Sequence, residues 1–506
     1  MTPMTTSWSC GHRTDSTRQP HYGKIISTSE QEIIMYGHQH GLKFLLCSIL
    51  LCVAHPVIAQ SQDESDESKP DDSGVPENIE MKATARDAIQ SAADIISGAP
   101  FPVRSVPPLI RDREDPSGYT RISNVGRPLG MDDLDPLFPD PLVPLMNPIR
   151  DVQAFLANEA GIATNLYYTL FFQAADKTRS GTSTLANGRL DFGMNMKVYE
   201  DEGSGTSGVI GFLMRSGVVI GDGRDTNLTT NTGSLVGVNS LLDNDAATLN
   251  LLYYQQNLFD GDVAISVGKL HPNQYIDLSP VANDESTMFL AAPFDGNSTL
   301  QPGEGTYAPG IAFQWAMTEQ IYINSIIIDA LGRPDRGFET IGDGRYWLAG
   351  EIGYINTIEG LGKGQYRLIF YNTNAPFGSD ETRSNGSGFA INFNQEVCEN
   401  LTLFLRYGIA NDNVVAIPQE LSGGISIASP FGRANDQFGL GVAWSQVGQQ
   451  DQAYHRRNQV TLESYYRIQL TDSWQLSPDV QLLFRPSDYP DEDVVALFGV
   501  RLRTQF

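Results

Sequence analysis

The sequence predicts an all-β fold: a transmembrane antiparallel β-barrel of about sixteen strands, preceded by a short N-terminal helix and an extended segment. Three observations predict it. From Ile162 to Phe506, apolar residues recur at alternate positions in segments of about ten residues, separated by Gly/Asn/Asp turns. Within those segments the charges fall on the parity opposite to the apolar residues. Finally, hydrophobic content is 41% and no run of ~20 apolar residues follows the amino-terminal region, which excludes a helical membrane protein but not a barrel, whose lipid face uses every second residue.

The amino-terminal region sets the compartment. LKFLLCSILLCVAHPVIA, residues 42–59, combines Lys43, an apolar run broken by His55 and Pro56, and the small-residue spacing ending at Ala59. It reads as a secretory signal cleaved near Ala59, with translation starting at Met35, because residues 1–34 fit no signal pattern. Cleavage there removes four of the 34 basic and three of the 60 acidic residues, leaving 30 against 57 and a formal charge of −27. Such an excess of acid speaks against nucleic-acid binding. Cys10, Cys47 and Cys52 are lost with this segment, so Cys398 is left alone and an internal disulfide is excluded. Only His271 and His455 survive of seven histidines, which leaves little for zinc or for a histidine-assisted nucleophile, and neither lies in a nucleophile motif. No enzyme activity and no cofactor are expected. The acidic stretches 132–140 and 243–248 lack the spacing of a calcium loop.

Residues 60–146 are predicted to be an extended periplasmic segment. QSQDESDESKPDDSG (60–74) is acidic, Ser-rich and without apolar anchors. Residues 76–98 have Ala-rich helical character ending at Gly98, and 99–146 are proline-rich, as in PLFPDPLVPL. A helix is predicted over 147–161, with Asn147 as cap, Pro148 at its first position and Gly161 as its stop; Ile149, Val152, Phe155 and Leu156 share one face. The barrel then occupies 162–506. At ~10 residues per strand, a turn of about four and a loop of about eighteen, each strand uses ~21 residues, so this region holds about sixteen. A barrel of that size leaves an aqueous channel.

Parity assigns the charges. In the last segment, VVALFGVRLRTQF, Phe498, Val500, Leu502 and Phe506 share one face, and Arg501 and Arg503 the other. An Arg at the lipid midplane costs ~2–4 kcal/mol, so both arginines are predicted to point inward. By the same rule Arg367 opposes Tyr366, Leu368 and Phe370, while Arg406 opposes Leu403, Leu405 and Tyr407. Glu463 and Arg467 oppose Leu462 and Tyr466, Glu351 opposes Leu348 and Ile352, and Asp479 also faces the lumen. Tyr346, Tyr354, Tyr366 and Tyr407 sit on the oily parity as interface anchors. Lys269 falls with Val263, Ile265 and Val267, so either a bulge intervenes or it lies above the membrane. Asp260-Gly261 reads as a tight hairpin turn. The terminal aromatic, after apolar residues at alternate positions, resembles the signal by which bacterial outer-membrane barrels are recognised for assembly; Thr504 is weaker than that pattern prefers.

Several segments in order resemble the carbohydrate-selective porins of the OprB family: YYQQNLFDGDVAISVGKL (253–270), NDESTMFLAAPF (283–294), YAPGIAF (307–313), GEIGY (350–354), GQYRLIFY (364–371), NLTLFLRYG (400–408), SPFGRANDQFGLGVAW (429–444) and ESYYRIQLTDSWQLSPDVQLLFRP (463–486). The resemblance implies a sixteen-stranded barrel in the bacterial outer membrane with an inward-folded loop and a constriction where arginines and carboxylates meet sugar hydroxyls. Its partners would be small sugars, outer-membrane lipid and the assembly machinery. Carried onto this sequence, the candidates are Lys269, Glu351, Arg367, Arg406, Glu463, Arg467 and Asp479, with Trp347 and Tyr371 as ring-stacking aromatics. For any one wall charge the alternative is a cross-strand ion pair. For the whole protein the alternatives are a general diffusion porin, or a structural tether in which 60–146 contacts the cell wall or another periplasmic component.

Overall fold

The computed structural model describes residues 136–506, apart from 221–226, 244, 301–305, 378–379, 399 and 450–453. The predicted signal, the acidic tail, the 76–98 helix and the proline-rich segment as far as residue 135 lie outside the described residues. The first helix, α1 (Val143–Ala160), starts four residues before Asn147. Leu142 occupies the cap position without a side-chain bond, and Pro144 takes the first turn, where a missing N–H costs nothing. Pro148 therefore lies inside the helix rather than at its start. Gly161, with φ 63°, ends it as expected. The predicted apolar face is only partly covered: Met146 and Leu156 are buried, and Val152 is exposed.

Sixteen strands follow. They are β1 (Ile162–Ala175), β2 (Thr184–Asp201), β3 (Thr206–Val219), β4 (Thr248–Leu258), β5 (Val263–Leu270), β6 (Ala308–Ala316), β7 (Ile321–Asp329) and β8 (Tyr346–Ile358), then β9 (Gly362–Phe377), β10 (Asp380–Cys398), β11 (Leu401–Ala410), β12 (Gln419–Ala428), β13 (Gln437–Gln446), β14 (Asn458–Gln469), β15 (Trp474–Phe484) and β16 (Val494–Gln505). Each pairs antiparallel with its neighbours in sequence, and β16 closes on β1 with Arg503 opposite Thr169. Closure removes every sheet edge, the condition for exposing a sheet to hydrocarbon. The seam is also tied at its end: the Phe506 amide donates to Leu166 O, and its carbonyl accepts from Gln153 of α1.

The two faces of the wall separate as parity requires. Phe370, Phe498 and Ile352 are more than half exposed on the outside, whereas Ile369, Leu497 and Glu351 next to them are at most 1% exposed. A closed band of large exposed apolar side chains is a surface for lipid, not for water. Of the predicted interface tyrosines, Tyr354 stands outward and stacks on Tyr366 at 6.3 Å. Short turns join strands at the end where α1 and the chain terminus lie, and the long connections 220–247, 271–307 and 330–345 are at the other.

One local expectation needs correction, and a second is narrowed to one of its alternatives. Phe259 to Asp262 form a four-residue connection, with positive φ at Phe259, Asp260 and Gly261, in place of a two-residue turn at Asp260-Gly261. Lys269 keeps the outer parity of Val263, Ile265 and Val267: it pairs with the outward Leu252, and Ser266 and Leu270 are the enclosed residues of the inner face, so Gly268 takes φ 141° without breaking the alternation. It is buried because the β7–β8 connection covers it at the long-loop end of β5. A Cβ at Gly268 would sit 2.3 Å from Leu252 O. Gly268→Ala is therefore expected to cost at least ~1–3 kcal/mol from backbone strain alone. It would appear as a lowered unfolding midpoint of the purified barrel in denaturant; an unchanged midpoint would show that the backbone of β5 accepts a side chain at this position.

Candidate functional site

The connection between β5 and β6, residues 271–307, crosses the interior. Its backbone is bound by side chains from strands all round the barrel, which no loop outside the lumen could reach. On β8, Glu351 accepts from the Asp277 amide at 2.8 Å. On β10, Asn392 donates to Asp277 Oδ1 at 2.7 Å, and Asn394 accepts from Ser279. On β11, Arg406 donates to Phe294 O at 2.8 Å, to Asp277 O at 3.1 Å and to Asn283, with the Asp277 carboxylate 3.3 Å from its Nε. Glu420 of β12 accepts from the Ser298 amide at 2.8 Å, and Glu463 of β14 accepts from the amides of Leu290 and Ala291. Arg501 of β16 donates to Glu285 O and Met288 O. Each wall charge thus meets backbone groups that would otherwise be orphaned. The short helix α3 (Ala292–Asp295) lies in this loop.

Aromatic packing pins the same loop. Phe289 lies 4.8 Å from Phe294, 5.6 Å from Phe404 of β11 and 4.9 Å edge-on from Tyr465 of β14. The cluster is fully enclosed, so freeing the loop exposes these rings as well as breaking its polar bonds.

A four-charge cluster holds the loop against β2 and β3. Arg189 contacts Asp191 at 2.9 Å and Glu285 at 2.8 Å, and Arg215 contacts Asp191 at 2.7 Å, Glu285 at 3.2 Å and the Tyr307 hydroxyl at 2.7 Å. Burial disfavours the charge on Glu285, but Arg189 and Arg215 more than offset it and hold its carboxyl below the usual range. At Asp295 the balance is reversed: burial, with Glu285 and Asp284 nearby, outweighs Arg406 and Ser240 and pushes its carboxyl up to about 8.

A second connection also folds inward. Residues 227–243, including the short helix α2 (Leu228–Asn231), bond the first loop through Ser240 N to Leu290 O and Ala292 N to Gly237 O, both at 2.8 Å. The wall glutamines Gln173 and Gln481 donate to Val238 O, and Gln459 accepts from Leu235 N. Together the two loops fill the sector lined by β14 to β1. On the other side, between Pro280-Val281 and the wall, a cavity of 280 Å³ is lined by residues that include Lys363, Gln365, Glu396, Thr402 and Gln437.

The sequence-predicted residues fall into four groups. Glu351, Arg406 and Glu463 bind the inward loop, and Arg367 supports Glu351 at 3.6 Å while donating to the Tyr322 hydroxyl at 2.9 Å. Lys269 donates to Pro334 O and Arg336 O, fastening the β7–β8 connection, and Asp479 accepts from Gln481 at 3.3 Å. Trp347 and Tyr371 do face inward, but they stack on each other at 5.6 Å in a packed cluster and offer no open ring to a solute. Arg467 alone is half-exposed with no protein partner among the described residues, its Nε being enclosed and unbonded. Parity could have added Arg189 and Asp191, which oppose Leu190 and Phe192, and Glu420, which opposes Leu421. Nothing local in the sequence marks Asp277 or Glu285.

The sequence profile of the carbohydrate-selective porin, OprB family, matches residues 188–506, more than half of the chain. The chain belongs to that family. This OprB-family porin is 25% identical over 259 residues to Porin AaxA of Chlamydia abortus (strain DSM 27085 / S26/3), covering 50% of this chain and 56% of that protein. Its identity to Porin AaxA of Chlamydia felis (strain Fe/C-56) is 24% over 260 residues, covering 50% and 57%. The chain thus spans about half the length of the curated relatives it matches. The high-pH structure of Pseudomonas putida OprB aligns with a TM-score of 0.60 at 15% identity, covering 71% of this chain and 97% of that one, a likeness of fold. As a member of this family the porin resides in the bacterial outer membrane, so its short turns face the periplasm and its long loops the exterior.

Proposed function

We propose that this porin passes small carbohydrates down their gradient through the passage left beside the inward loop, without chemistry and without a cofactor. The observation that carries the reading is the loop's anchorage: wall charges from five strands bond its backbone and fix a polar constriction inside a sixteen-stranded barrel that would otherwise be wide open. Arg406, Glu351 and Glu463 act on sugars indirectly, by fixing the loop whose free edge the sugar meets. The 280 Å³ cavity, lined by amides, hydroxyls, Lys363 and Glu396, offers donors and acceptors suited to vicinal hydroxyls on the periplasmic side of the loop. Outer-membrane lipid covers the apolar band, and the terminal Phe506 is the feature that the assembly machinery would read. Leu137 and Phe138 bond to Gln469 and Leu470 at the β14–β15 turn, so these residues lie at the periplasmic end, the side on which a cell-wall contact would be made.

Planar-bilayer recording tests the reading. Channel current is expected to fall on addition of millimolar neutral sugar. Conductance that ignores sugar would favour a general diffusion porin, and absence of conductance a tether.

A further inference from the structure

We infer that this channel selects for anions, and that within the carbohydrate reading, on which this rests, it takes sugars carrying a carboxylate or phosphate in preference to neutral ones. The inference comes from a set of guanidinium groups on the periplasmic side of the pinned loop, on β14 and β16. Arg501 is bound by two carbonyls and lies over the Tyr465 ring, with no carboxylate partner. Arg503 stacks on the Tyr167 ring at 3.7 Å and donates to Gln475 at 3.3 Å. Arg467 has neither a hydrogen bond nor an ion pair among the described residues. Register explains the shortage. Between them, β15 contributes Ser477 opposite Arg501 and Gln475 opposite Arg503, while Asp479 lies one inward position further up, opposite Gly499, and accepts from Gln481.

The fixed acids of the lumen do not cancel these charges. Glu351, Glu420 and Glu463 are at most 1% exposed and accept from loop amides, and Glu285 and Asp191 face Arg189 and Arg215. Asp284, the half-buried carboxylate of the loop, accepts from Ser286 and Thr287 beside it. Glu396, exposed on the cavity wall, shares that wall with Lys363, one charge of each sign. Arg467 and Arg503 are half-buried, as Asp284 is; Asp284 acts on Arg467 and Asp191 on Arg503 at longer range, with no ion pair between either two among the described residues. An arginine in a pore without a fixed counter-charge holds a diffusible anion, and arrays of Arg or Lys are how anion and phosphate pores select. A planar guanidinium also binds carboxylate or phosphate through two parallel N–H donors. Net charge does not decide this outcome: the chain carries −26 overall, but the field at the narrow section is set by the charges lining it.

The test is the reversal potential of the purified full chain in planar bilayers under a potassium chloride gradient, followed by block with glucose, glucuronate and glucose 6-phosphate. Wild type is expected to prefer chloride over potassium and to be blocked by either anionic sugar at lower concentration than by glucose. The two anionic sugars distinguish carboxylate from phosphate recognition. In the Arg467→Gln/Arg503→Gln pair, the anion-to-cation permeability ratio should fall at least about twofold, and Arg467→Lys/Arg503→Lys should restore it. A cation-selective wild type, or a reversal potential unmoved in the glutamine pair with its folded barrel intact, overturns the inference. Block by glucose equal to that by the anionic sugars overturns the substrate preference while leaving the carbohydrate reading intact. Indifference to all three sugars defeats that reading itself.

Discussion

Arg406→Leu is expected to enlarge the channel and weaken its block by sugar. The guanidinium holds Phe294 O, Asp277 O and Asn283 and faces the Asp277 carboxylate, all fully buried. Leucine leaves those acceptors without a donor and the carboxylate without its partner, and breaking a buried pair in this way costs ~3–5 kcal/mol. The loop has an escape that a protein core lacks, because it can leave the wall and solvate Asp277 in the water of the lumen. The loss should therefore appear as higher and noisier single-channel conductance, with the barrel itself still folded. An unchanged conductance with unchanged sugar block would show that the loop does not need Arg406.

Phe370→Arg is expected to prevent stable insertion. Phe370 lies near the middle of the sixteen-residue β9, exposed on the outer face, and an arginine at that depth costs ~2–4 kcal/mol. Thr402→Arg provides the contrast, since Thr402 lines the internal cavity where an arginine head can reach water. The folded fraction after refolding into lipid vesicles, read by heat-dependent gel mobility, should drop for the first variant and hold for the second. Equal behaviour of the two would contradict the assignment of faces.

Those faces were legible in the sequence because a strand's period is two and lipid tolerates no charge, so Arg367, Arg406 and Arg501 could be placed inward from their neighbours alone. The strand number was legible from the length needed to cross a bilayer. What the wall charges bind was not. Arg406 meets residues 112 to 129 positions away, and Glu463 reaches amides 172 and 173 positions away. No periodicity links such pairs, and the partners are backbone groups, which every residue carries. Trp347 and Tyr371 were placed on the correct face, but parity cannot tell an open wall from one covered by packing. Lys269 resisted assignment because parity places it outside, and the β7–β8 connection that covers it there lies 65 to 67 positions away in the chain. The start of α1 was hidden by Pro144 and Pro148, since a proline is compatible both with a first turn and with an extended segment.

The loop's anchorage can be measured amide by amide. Hydrogen exchange of the Asp277, Leu290, Ala291 and Ser298 amides in the membrane-embedded protein should be as slow as that of the neighbouring strands, because each is capped by a buried wall carboxylate. Exchange at the rate of freely hydrated loop amides would contradict a constriction built by charges on the wall.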